Sequence, residues 1–169
     1  MARITVNEAG GENVCAFLDM IAASELGYGL MTPATEDGYR VLVGSTPKTP
    51  LLFKDYSQHP RIHNAAENSD AAGRYQFMGR YWDFYRSKLE LPDFSPLSQD
   101  RWAIGYIGEC RALVDIKAGR LTAAVAKCTS RWASFPGANY DQHENSIQDM
   151  QRWYLAAGGK FGPDQEASQ

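Results

Sequence analysis

Residues 13–25, NVCAFLDMIAASE, carry the strongest folding instruction in the chain. Val14, Phe17, Leu18 and Ile21 recur at i, i+3, i+4 and i+7, the spacing that lines one face of an α-helix, and Asn13 is a suitable N-cap. The pattern stops at Ser24-Glu25 and Leu26-Gly27-Tyr28-Gly29 comes next, so the helix is predicted to end at Glu25, before a glycine-punctuated loop. That is an unfavourable place for a carboxylate. The dipole disfavours negative charge at a helix C-terminus, and Met20, Ile21 and Leu26 withdraw solvent, so both effects raise the pKa. A carboxyl that keeps its proton near neutrality is a general acid. An exposed glutamate at a fraying helix end would be spelled the same way.

At 169 residues the chain is long enough for one domain with a substantial core and too short for two large ones. Its formal net charge of −3 supplies no general basic field, which argues against nucleic acid as a partner, although Arg74, Arg80, Arg86 and Lys88 suggest a local basic strip. Cys15, Cys110 and Cys128 are odd in number and lack CxxC spacing, which fits buried thiols better than a disulfide scaffold. The N-terminus lacks the basic and apolar regions of a signal peptide, and no apolar run reaches spanning length, so synthesis in the cytoplasm without stable membrane insertion is expected.

Taken in order, residues 1–12 read as a polar, loosely held lead-in, residues 13–159 as a single domain and residues 160–169 as a polar tail. Residues 39–43 and 51–53 are β-type runs joined by the turn-rich STPKTP, a small hairpin close in sequence to Glu25. Residues 54–73 carry little pattern. Phe77, Tyr81, Trp82, Tyr85 and Leu89 then give a helix with an aromatic face, and Ser95-Pro96 opens another through about Cys110. Short helices over 114–118 and 121–130 break at Gly119, residues 132–140 form a loop turned by Pro136-Gly137, and a last helix covers about 145–157. The predicted class is α+β, mainly helical, with one hairpin beside a cleft.

Glu25, the stretch Gly73-Arg74-Tyr75-Gln76 and the stretch Ala138-Asn139-Tyr140 each put polar or aromatic groups at the end of a predicted element. Tyrosines stack on sugar faces while Gln and Asn amides match hydroxyl and N-acetyl groups, so the set suits a carbohydrate. It equally suits a plain turn with packed tyrosines and a backbone-bonded glutamine. His59 and His63, with Glu67 beyond them, have the spacing of helical zinc ligands, but Pro60 breaks that helix, and neither metal nor other cofactor is expected. No serine lies in a G-x-S-x-G elbow.

Six blocks in order, FLDMIAASE (17–25), GYRVLVG (38–44), DYSQHPR (55–61), AGRYQ (72–76), DFSPLSQD (93–100) and WASFPGANY (132–140), resemble the lambda-type lytic transglycosylase family of phage endolysins. The resemblance spans about 16–159. It implies a lysozyme-like fold and cleavage of the β-1,4 bond between N-acetylmuramic acid and N-acetylglucosamine, with 1,6-anhydro ends. It carries the role of catalytic acid to Glu25, and saccharide binding to Tyr75 and Gln76 and to Asn139 and Tyr140. It implies peptidoglycan glycan strands as partner, a holin-type protein for release to the cell wall, and action as a monomer. Leu26 stands where the family pattern has glycine, and Arg40 where it has an acid. Two alternatives stay open. One is a hydrolytic muramidase recruiting Glu36, Asp37 or Asp55 as second carboxylate; the other is a non-catalytic glycan-binding or phage structural module on the same fold.

Overall fold

A computed structural model describes residues 2–138 and 144–163. Seven α-helices occur along these residues, in chain order: α1 (Val6–Ala9), α2 (Glu12–Leu26), α3 (Trp82–Lys88), α4 (Pro96–Glu109), α5 (Leu113–Lys117), α6 (Leu121–Cys128) and α7 (Ile147–Ala156). The long helix α2 is the axis, touched by α1, α4, α5 and α7. The expectation of a single apolar face understates it. Val14, Ala16, Phe17, Leu18, Met20, Ile21, Ala22 and Ala23 are all buried, because small alanines between the large side chains let neighbours close on several sides.

The N-cap of α2 is Gly11 rather than Asn13. Asn13 instead clamps the far end of the chain: its Oδ1 accepts from the Lys160 backbone N–H at 2.9 Å and its Nδ2 donates to the Lys160 carbonyl at 3.2 Å. The lead-in is likewise held. Thr5 and Glu8 form a capping box at α1, Ile4 and Ala9 are buried, and the Arg3 and Ile4 amides donate to Asp100 Oδ2 at 2.6 and 2.8 Å. A loose lead-in is therefore corrected: the buried carboxylate needs those donors.

The predicted hairpin exists in reduced form. The Leu42 amide donates to the Leu51 carbonyl and the Phe53 amide to that of Arg40, after which Val41 and Val43 exchange bonds with Gly73 and Ala71. Ala72 in turn pairs with Phe77, so the β patch carries the chain from the hairpin into the turn that holds Gln76. Behind it lies an aromatic core in which Phe77 stacks on Trp102 with centroids 4.1 Å apart, bordered by Trp82, Tyr85, Phe94 and Tyr106. Tyr81 departs from the predicted aromatic face. It belongs to a 3-10 turn, Gly79–Tyr81, that precedes α3, and the residue is 42% exposed.

Candidate active site

The last turn of α2 opens onto a cleft of about 780 Å³. Glu25 lies on one wall with Ser130, Arg131, Trp132 and Ala133, and the opposite wall, formed by the β patch and the chain leading into α3, supplies Val43, Glu67, Gln76, Met78, Arg80 and Tyr81. The Glu25 side is fixed by aromatic anchors. Trp132 and Phe135 are buried and stack on each other, Phe135 meets Phe17 of α2 edge-on, and the Trp132 indole N–H donates to the Tyr75 carbonyl. Ser134, between those anchors, is thereby held against the end of α2.

Ser134 Oγ donates to Glu25 Oε1 at 2.5 Å. A serine hydroxyl has one proton, so the 2.7 Å contact between Ser24 Oγ and Ser134 Oγ must be donated by Ser24. Asn145 Nδ2 donates in turn to Ser24 Oγ at 3.0 Å, and the Asn145 amide holds the Ser134 carbonyl at 2.9 Å. The result is a directed chain from Asn145 through Ser24 and Ser134 to the carboxyl. Glu25 is half-buried, and its pKa is pushed up to about 7, burial being the main cause and the Ser134 hydroxyl and backbone N–H pulling the other way. Near neutrality the group is present in both forms, as proton transfer in both directions requires.

Gln76 lines the same cleft. The turn that delivers it depends on Gln99, fully buried, whose Oε1 accepts from the Arg74 amide while Nε2 donates to the Tyr39 and Phe94 carbonyls. A Cβ on Gly73, at φ +82°, would fall 2.3 Å from that Oε1, so only glycine fits there. Gln76 itself has φ 49°, a left-handed conformation that costs about 1 kcal/mol or more in a residue with a side chain, and its Nε2 donates to the Gly73 carbonyl at 2.9 Å.

Tyr75 is not in the cleft. It is fully buried and its hydroxyl donates to Asp100 Oδ1 at 2.6 Å, so the expectation that it meets a saccharide is corrected. Turning Gln76 outward in the left-handed turn sends its neighbour inward. Asn139 and Tyr140 lie outside the described residues. Arg74, expected on a basic strip, is fully buried: it pairs with Asp19 at 2.7 Å, donates to the Asp37 carbonyl and lies over the Tyr39 ring. His59 is buried with both ring nitrogens engaged, by the Phe77 carbonyl and the Arg61 amide, which leaves neither for a metal.

Nor do the proposed second carboxylates reach the cleft. Glu36 accepts from the Tyr56 hydroxyl and pairs with Arg40, Asp37 pairs with Arg3, and Asp55 accepts from Ser57. Among the described residues, the other carboxylate lining the cleft is Glu67. The two departures from the family pattern are absorbed structurally: Leu26 packs on the Cα of Gly38, and Arg40 bonds the Phe53 carbonyl besides Glu36. Sequence reasoning missed Ser24, Ser134 and Asn145 around Glu25, and Glu67, Arg80 and Tyr81 opposite it. The alternation of WASF, with two apolar anchors flanking a serine, was the only hint of Ser134.

The Endolysin family model matches residues 15–161. The endolysin of Escherichia phage P2 is 46% identical over 158 residues, covering 88% of this chain and 94% of the relative, and that of Escherichia phage lambda is 43% identical over 147 residues, covering 85% and 90%. Among solved structures, bacteriophage lambda lysozyme complexed with a chitohexasaccharide superposes with a TM-score of 0.79 at 40% identity over 95% of this chain and 99% of its own. A second structure of the lambda lysozyme gives 0.76 at 38% identity, with the same coverage. The fold is therefore lysozyme-like, and the chain, with its acid-ended axial helix at the rim of the cleft, belongs to the endolysin family.

Proposed function

We propose that this chain cleaves the β-1,4 bond between N-acetylmuramic acid and N-acetylglucosamine in peptidoglycan as a lytic transglycosylase, with Glu25 as its single acid and base. The observation that carries the reading is the Glu25 carboxyl itself: on the cleft, tethered by Ser134, and poised at about 7, while Glu36, Asp37 and Asp55 are bound elsewhere. Glu25 protonates the glycosidic oxygen as the C1–O bond breaks towards an oxocarbenium-like state. The resulting carboxylate takes the proton of the muramoyl C6 hydroxyl, whose oxygen attacks C1 and closes a 1,6-anhydro ring. The substrate supplies the nucleophile, so no second carboxylate is needed. Gln76 offers its amide oxygen to the sugar, its Nε2 being occupied by the turn.

Binding of a chitohexasaccharide by the related lambda lysozyme supports a glycan in the cleft. The chemistry would be carried by one catalytic domain over 13–159, acting as a monomer on the cell wall after release through a holin-type partner. No described helix is long and apolar enough to cross a membrane. Glu67 favours one second reading, hydrolysis by a muramidase with that residue activating water. Mass spectrometry of the digested wall separates them: anhydro ends, one water lighter than reducing ends, support the transglycosylase, and reducing ends overturn it.

A further inference from the structure

Among the described residues two arginines line the cleft, Arg80 and Arg131, and their surroundings differ. Arg131 is already matched: it lies over the Tyr106 ring and donates to Glu109 at 2.8 Å, the same carboxylate that receives Lys88 and the Tyr85 hydroxyl. Arg80 has no carboxylate partner among the described residues. Its guanidinium is carried 4.8 Å over the ring of Tyr81, which is itself 42% exposed on the cleft wall.

The backbone beneath it is held firmly. The Gly79 amide donates to Asp70 Oδ1, and a Cβ at Gly79 would fall 2.5 Å from Asp70 Oδ2 and 3.0 Å from His59 Nδ1, so the 3-10 turn sits directly on the core. Stacking then limits the freedom of the side chain. An oriented guanidinium with its donor edges unspent is a receptor for a carboxylate.

A chitin-type oligosaccharide is uncharged and has nothing for such a group to bind. Peptidoglycan differs in bearing a peptide on the lactyl group of each muramic acid, and that peptide carries free carboxylates. We propose that the stacked pair Arg80 and Tyr81 is a recognition element for a peptide-stem carboxylate, through which the cleft distinguishes peptidoglycan from neutral glycans. The inference rests on the glycan-cleaving reading above. Arg80 acts as a specificity residue: its charge is matched when a stem-bearing strand is seated, which favours productive over slipped registers.

The test compares two preparations of sacculi, both acetylated on their free amines, one of them also amidated on its carboxylates with methylamine. Amidation keeps the stem and its bulk and removes its charge. Release of soluble muropeptides gives kcat/KM on each, and the readout is the ratio of charged to neutral substrate. For the wild type this ratio should exceed one. In R80Q it should fall about fivefold, the effect of one solvent-exposed charge pair, in R80K it should fall by less, because the charge stays while the stacked fork is lost, and in R80E it should fall further. Raising the salt concentration should compress the wild-type ratio towards that of R80Q. Thermal melts ensure that equal folded concentrations are compared. A ratio unchanged in R80Q and R80E, with both substrates slowed alike, overturns the stem-carboxylate role while leaving glycan cleavage intact. A wild type that releases nothing from either preparation overturns both.

Discussion

Glu25 and Asp100 are both carboxyls that burial pushes above the usual carboxylate range, yet they sit in opposite kinds of place. Asp100 is fully buried on α4 and accepts four hydrogen bonds, from the Arg3 and Ile4 amides and the Tyr39 and Tyr75 hydroxyls. Glu25 is half-buried at a helix end, lines a cleft, and among the described residues takes its donors from Ser134 alone. A raised pKa is common to both and so cannot by itself mark a catalytic acid. What separates them is unused bonding capacity facing open space. Asp100 is saturated and serves as a knot that joins the N-terminus, the 72–76 turn and α4; Glu25 is oriented but has room for a substrate.

The largest expected effect breaks the pair apart by function. Glu25→Gln should lose at least about 100-fold in rate at equal folded concentration, since general acid catalysis is worth about 10²–10⁴, and a residual rate above a tenth of wild type would remove Glu25 from the mechanism. Its stability should move the other way. A carboxyl whose folded pKa is about 7 against 4.5 stabilises the fold fully below pH 4.5, and that contribution is lost as pH rises through 7. The stability of Glu25→Gln relative to wild type should therefore rise by about 1–3 kcal/mol between pH 4.5 and 8, read by urea titration. Asp100→Ala should show the converse. Leaving the buried Ile4 amide and the Tyr39 and Tyr75 hydroxyls without this acceptor should cost about 3–5 kcal/mol, while the folded fraction cleaves at close to the wild-type rate.

The same contrast explains which features were legible in the sequence. Helix boundaries were legible at α4 and between α5 and α6: Ser95-Pro96 opens α4, and Gly119 separates α5 from α6. The position of Glu25 could be read from where the apolar pattern of α2 stops. Tyr75 and Arg74 could not be read, because a tyrosine or arginine beside a glycine turn is written alike whether it faces a sugar or a buried aspartate. Their partners Asp100 and Asp19 are 25 and 55 residues away in sequence. Ser134 is 109 residues from Glu25, and local pattern carries no information at that separation.

A smaller effect tests the corrected residue directly. Tyr75→Phe removes one of the four donors to Asp100 and nothing from the cleft, so it should cost about 1–2 kcal/mol in denaturant titration. Turnover and KM of the folded enzyme should stay within about twofold of wild type. A rise in KM for glycan strands without loss of stability would return Tyr75 to the saccharide site.

The finest distinction lies in how Ser134 sets the ionisation of Glu25. Its hydroxyl donates to the carboxyl, an arrangement that favours the charged form and opposes the upward push of burial. Ser134→Ala deletes that donor and keeps the backbone, so the Glu25 pKa should rise further above about 7. Because protonated Glu25 begins the reaction, the alkaline limb of the rate profile reports this ionisation and should move to higher pH by about half to one unit. The plateau should drop less than tenfold, since the proton donor is still in place. Ser24→Ala should move the limb in the same direction by less: Ser24 does not touch the carboxyl but donates to Ser134, and its loss weakens the bond that Ser134 makes. An alkaline limb that stays fixed in Ser134→Ala would mean that burial alone sets the acid. A limb displaced to lower pH would mean that the titrating group in the rate is not Glu25.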